Sequence, residues 1–275
     1  MKATRKLIPA LALLLVSAVL LSTASYAWFT TNTVVKADMT VGVTTPQNLQ
    51  ISKESTNTWV QAIEWENTKS LQPVSSIDGI TFIDWTPASG TNSVSLNGII
   101  ADGKATISGN AVQYDGKNAG TLSTLDMTDE DAYTGKVYAC EMQLRSTINT
   151  AIKASVAYDT NAAGNIYSSI RVAIKLGDQT LVFAPDARTG ELAIKQVVTT
   201  TGEGDNQTTT VSYTTDAATL IAAEGTFTKA LTAGNAENVL VYIWYEGNDS
   251  TCVAENVKTG NSLGITISFQ AVTTG

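Results

Sequence analysis

The feature that most constrains this chain is a period of two. Apolar and polar residues alternate through short segments, each cut off after a few residues by Gly, Asn, Asp or Pro. Ile170 to Leu176 (IRVAIKL), the dipeptide Gly177-Asp178 and Gln179 to Ala184 (QTLVFA) form the clearest case, a hairpin closed by a two-residue turn. Gly135 to Thr147, Ile152 to Tyr158 and Leu263 to Val272 read as further strands, and Leu192 to Thr201 with Thr208 to Thr214 as a protruding hairpin. Val239 to Tyr245 (VLVYIWY) is apolar on both parities, so both of its faces are expected to be buried.

Between Ser55 and Ser95 the pattern loosens, and strands are expected near Thr58 to Ala62 and Thr81 to Trp85. Gly98 to Ser108 predicts a hairpin turning at Asp102-Gly103, because Asp-Gly supplies the positive φ angles of a type I′ turn. Gln113 to Gly120 is rich in turn residues. One short helix is expected at Thr215 to Glu224, with Thr215 or Asp216 as N-cap and Gly225 as its stop. These segments predict an all-β fold, an antiparallel β-sandwich of jelly-roll type with one short helix. Without a clear linker or a fixed-period repeat, residues 45–275 are read as one elaborated domain.

The start of the chain is built differently. Lys2, Arg5 and Lys6 precede an uncharged run from Leu7 to Leu21, 15 residues long, against the roughly 20 that span a bilayer as a helix. These proportions predict a secretory signal-peptide helix over residues 1–27, with small residues at Ser25 and Ala27 and cleavage before Trp28. An uncleaved anchor continuing through Tyr26, Trp28 and Phe29 is the alternative; it would place the Ser/Thr-rich Ser22 to Ser25 segment inside the bilayer. Cleavage leaves 14 basic against 25 acidic residues, a net charge of −11. Such a surface disfavours nucleic acid and anionic lipid as partners.

Immediately downstream, Val35, Ala37, Met39, Val41 and Val43 share one parity of a strand within residues 28–44. A one-faced strand at the start of a processed chain suits pairing within its own sheet or addition to the sheet of another copy, and the alternation is the same in both cases.

Cys140 and Cys252 are the only cysteines, and in an exported chain they either pair in a disulfide or stay as two partly buried thiols. The chain has no histidine, which excludes Ser/His/Asp and Cys/His nucleophile systems. Lys-based or two-carboxylate chemistry stays open. Asp126, Asp129, Glu130 and Asp131 form the densest acidic cluster, a calcium loop or simply a solvated turn, and it lacks EF-hand spacing. Trp59, Trp65, Trp85 and Trp244 are candidates for stacking on sugar rings or for the core. No cofactor motif is present.

Two segments carry a resemblance. RKLIPALALLLVSAVLLSTASYAWFTTN is similar to leaders cut by the SipW-type signal peptidase of Gram-positive bacteria, where an aromatic residue and a short polar stretch follow the cut. VLVYIWYEGNDSTC resembles a segment near the C-terminus of proteins with such leaders, among them the TasA and camelysin family. VVKADMTVGV stands where that family commonly has other wording. The resemblance implies a β-sandwich subunit of a biofilm matrix fibre, secreted and non-enzymatic, whose freed N-terminal strand inserts into the next copy. The protease activity described for camelysins is not carried over, because no histidine exists to hold a metal. A secreted polysaccharide-binding module is the alternative function, and an extracellular two-carboxylate hydrolase a third.

Overall fold

The computed structural model describes residues 38–46, 48–53, 58–67, 70–88, 105–159, 165–186, 191–203, 207–252 and 262–272. In chain order the strands are β1 (Asp38–Thr44), β2 (Leu49–Lys53), β3 (Ala62–Asn67), β4 (Ile83–Pro87), β5 (Ala105–Ser108) and β6 (Ala111–Tyr114). After them come β7 (Lys117–Thr124), β8 (Tyr138–Ser146), β9 (Thr150–Asp159), β10 (Ile170–Leu176) and β11 (Gln179–Phe183). The last five are β12 (Leu192–Thr201), β13 (Thr208–Ala217), β14 (Glu224–Leu231), β15 (Ala236–Tyr245) and β16 (Ser262–Val272). The expected all-β sandwich is the architecture found.

Two five-stranded sheets face each other, one ordered β14-β9-β16-β1-β3 and the other β11-β10-β15-β8-β2. Between them lies the main core, to which alternate residues of each strand contribute: Val41 and Val43 from β1, Ile265, Ile267 and Phe269 from β16, Val239, Val241 and Ile243 from β15. Most neighbours are antiparallel; β1 and β16 run parallel. The opposite face of β15 is covered too. Trp244 is fully buried against Phe82, ring centroids 5.1 Å apart and edge-on at 81°, in a second cluster with Val74, Val137, Ala173 and Val182. This is why VLVYIWY is apolar on both parities.

A smaller four-stranded sheet, β4-β7-β6-β5, packs with the base of the β12–β13 ribbon around a third cluster that includes Ile83, Leu122, Ile194 and Tyr213. Its β6–β7 turn is Asp115-Gly116, both at positive φ (54° and 73°), the geometry Asp-Gly readily adopts. In the β10–β11 hairpin, Gly177 takes φ of 61° between Leu176 and Gln179, matching the expected two-residue turn. The turn expected at Asp102-Gly103 lies outside the described residues, as do the leader helix and its cleavage residues Ser25, Ala27 and Trp28.

The helix expected at Thr215 to Glu224 is not formed. Thr214 and Thr215 instead extend β13 opposite Lys195 and Ile194, and Gly225 lies inside β14 opposite Ala154. Ile221 bridges to Phe183 and donates its N–H to the Val182 carbonyl. A ten-residue helix is marginal on its own, so backbone pairing on either side overrides the helical spacing. Among the described residues the α-helix is α1 (Glu130–Tyr133), which starts in the acidic loop, where the Asp129 carboxylate caps it by accepting the Asp131 N–H at 3.1 Å.

Candidate functional site

Two places in the fold hold the residues that sequence reasoning singles out. The first is the berth of β1. Met39, Val41 and Val43 all point into the main core, at 4%, 0% and 0% exposure. On one side β1 runs in register with β16 from Asp38↔Ser262 to Thr44↔Ser268, and on the other with β3 from Met39↔Asn67 to Thr44↔Ala62. The strand is thus paired within its own chain along both edges. Val35 and Ala37 lie outside the described residues. After Thr44 the chain crosses to the opposite sheet through Pro46 and Asn48, with Leu49 donating its N–H to the Pro46 carbonyl at 3.0 Å.

The second place is a buried ionic junction assembled from the stretch around YEGND and three other segments. Arg171, on β10 and 1% exposed, donates to Asp249 at 2.6 Å, to Glu191, and to the carbonyls of Ser168 and Ile170 at 2.7 and 2.8 Å. Asp249 also accepts from the Thr251 N–H and hydroxyl, both at 2.7 Å. Burial opposes its charge, yet hydrogen bonds involving Glu191 and Thr251 and the Arg171 guanidinium outweigh it and hold the carboxyl down to about 2. Glu246 is fully enclosed and accepts from the Ser76 N–H at 3.0 Å, the Trp244 indole at 3.2 Å and the Asn248 N–H at 3.2 Å. Burial dominates there and pushes its carboxyl up despite these donors.

The junction joins the sandwich to the small sheet and the ribbon base. Asn248 donates to the Leu192 carbonyl at 2.6 Å, Ser75 accepts the Ile194 N–H at 2.8 Å, and Val74 bridges to Glu246, so the ribbon base and the small sheet are locked onto the sandwich. The sequence signal for it is a lone arginine inside an apolar strand and a cluster of acids in the tail segment. Arg171 and Glu191 were missed because a partner 78 or 20 residues away leaves no local pattern.

The remaining candidates have structural surroundings. Cys140 and Cys252 are free, buried thiols, so the disulfide is not formed. Cys140 sits on β8 opposite Val241, whereas Cys252 closes the turn after Glu246, its N–H donated to the Asp249 carbonyl at 2.9 Å. Burial raises both thiols to about 12. In the acidic loop, Asp126 accepts the Thr128 N–H and hydroxyl at 2.9 and 2.6 Å, which lowers its carboxyl, and Asp129 caps α1. No group of three or more metal-ligating side chains occurs among the described residues. Trp244 is core, and Trp59, Trp65 and Trp85 are half-buried rather than exposed. The Arg145 guanidinium lies 4.0 Å over Trp59 and the Lys53 ammonium 5.3 Å over Trp65. No described helix is long and apolar enough to cross a membrane. No protein-family model matches the chain, and no curated protein matches it significantly.

Proposed function

We propose that this protein is a secreted, non-enzymatic structural subunit of an extracellular matrix, released by a signal peptidase after Ala27 and joined to its own copies through β1. The leader pattern and its resemblance to SipW-type substrates support export from a Gram-positive cell. The acidic balance of the processed chain favours solubility outside it.

The observation that carries self-association is the berth of β1. Three buried side chains and two edge ladders hold a strand that is the first described element, joined to the rest by a short link containing Pro46. If β1 leaves, β16 exposes a seven-residue edge and the core a row of apolar pockets. A β1 from another copy restores the same pairs and the same packing, so exchange is close to isoenergetic and is driven by concentration. The leader tethers this strand before cleavage and frees it afterwards. Residues 28–37, about 33 Å when extended, then give it reach toward a neighbour.

The test compares protein spanning 28–275 with protein starting at Pro46 by size-exclusion chromatography and electron microscopy. The longer form is expected to polymerise, and the shorter form to stay short until a synthetic peptide of residues 28–45 is added and binds it. Equal monomeric behaviour of both forms at high concentration counts against the reading.

A further inference from the structure

A second strand edge of interest lies outside the sheet that holds β1, on the β12–β13 ribbon. Its two strands pair without a break over ten residue pairs, from Leu192↔Ala217 to Thr201↔Thr208. The Ala218 N–H reaches the Glu191 carbonyl, which fixes the parity of the ladder: odd-numbered residues of β12 bond to β13, and even-numbered ones turn their N–H and C=O outward. At the base these outward groups are taken. The Leu192 carbonyl accepts from Asn248, and the Ile194 N–H is donated to Ser75. Further out, among the described residues, no group takes the outward N–H and C=O of Gln196, Val198 or Thr200.

That edge has none of the protections usual in monomeric proteins, for it carries no bulge, proline or outward-position charge. Val198 and the opposing Val211 are 56% and 41% exposed on the same face. From Gln196 to Thr201 and from Thr208 to Thr215 the ribbon has no charged residue at all, in a chain with net charge −8. A contact between two copies along this stretch sets no carboxylate against another. Charge also picks the orientation. The free stretch of β12 begins at Lys195, whose ion pair with Asp216 among the described residues is a 3.6 Å contact between half-exposed groups, and ends at Thr201; exposed Glu203 follows in the loop that starts at Gly202. An antiparallel pairing centred on Thr199 brings Lys195 of each copy to the end of the other copy's β12, where the loop carries Glu203.

We infer that β12 is a homotypic docking edge, pairing antiparallel with β12 of a second copy about a two-fold axis at Thr199 and continuing the ribbon into a four-stranded sheet. This contact stands independently of β1. It would add a lateral connection to any assembly built by strand exchange.

Thr199 then faces its own symmetry mate as a non-hydrogen-bonded pair, with Cα atoms about 4.5 Å apart, within disulfide range. Thr210, its exposed partner inside the ribbon, does not. The experiment introduces T199C or T210C into the exported protein and follows oxidative dimer formation on non-reducing gels; the buried native thiols give little background. T199C is expected to cross-link at least about tenfold faster than T210C. Adding Glu203→Lys should slow T199C cross-linking severalfold, and adding Lys195→Glu as well should restore it. Equal rates for T199C and T210C, or faster T210C, overturn the assignment, as does a charge exchange that fails to restore. Cross-linking without fibres in the microscope would leave this contact standing and remove the β1 reading. Fibres without cross-linking would do the reverse.

Discussion

β15 and β12 are both ten-residue strands rich in β-branched and apolar residues, yet they meet opposite environments. β15 lies between β10 and β8, with one face in the main core and the other under Phe82 and Val74. β12 has β13 on one side and solvent along most of the other. The difference lies in what each strand has to cover it: β15 has apolar residues on both parities and two neighbouring strands, whereas the outer half of β12 has threonine and valine and one. The buried strand therefore holds the fold together and the exposed one is left for contact. Arg171, Glu191 and Asp249 mark the boundary between the two regimes.

That boundary offers the sharpest way to break the comparison. Arg171→Met removes the guanidinium that pairs with Glu191 and Asp249 and leaves buried carboxylates uncompensated. It is expected to destabilise the protein by about 3–5 kcal/mol, read from urea unfolding midpoints. Should the loss fall below about 1 kcal/mol, the junction is not what locks the ribbon base to the sandwich. Inside the sandwich, Ile243→Ala on β15 leaves a cavity in a fully buried position and is expected to cost about 2–5 kcal/mol in the same assay.

The junction also sets an acid limit with a definite sign. The Asp249 carboxyl is held below its ordinary value of 3.8, so its contribution is fully present above about pH 4 and fades as pH falls toward 2. The Glu246 carboxyl is raised, so its contribution is full at low pH and declines as pH rises through its shifted value. Thermal melts between pH 2 and 5 should show the wild-type midpoint falling steeply, and Asp249→Asn, already destabilised, falling less. Parallel slopes for the two proteins would remove Asp249 as the source of acid sensitivity.

How much of this was legible depended on range. The β10–β11 hairpin was readable because Gly177 and the alternation on either side lie within one local window. The double-sided burial of β15 was readable for the same reason, since both parities are apolar in seven consecutive residues. The segment around Leu220 and Ile221 misled because its spacing suits a helix, while the deciding partners, Val182 and Phe183, lie almost forty residues earlier. Strand β14 was missed because one face of EGTFTKAL is exposed and its Gly225 reads as a stop. At the site, Met39, Val41 and Val43 were identified as core-filling from parity alone. Whether they fill their own core or a neighbour's is not written in the alternation, because both use the same face.

The smallest expected effect tests the other side of the comparison. Val198→Ala and Val211→Ala remove methyl groups that are already about half in water, from a non-hydrogen-bonded pair of the ladder whose backbone bonds are made by its neighbours. Each should change unfolding stability by no more than about 0.5 kcal/mol, roughly a sixth or less of the loss at Arg171. The same substitutions remove the apolar contact a second ribbon would cover, so they should lower T199C cross-linking while leaving the melting curve in place. A stability loss above about 1 kcal/mol at Val198 would mean that this face is already buried by the chain itself. The ribbon would then be a packed element like β15, with nothing left to offer a second copy.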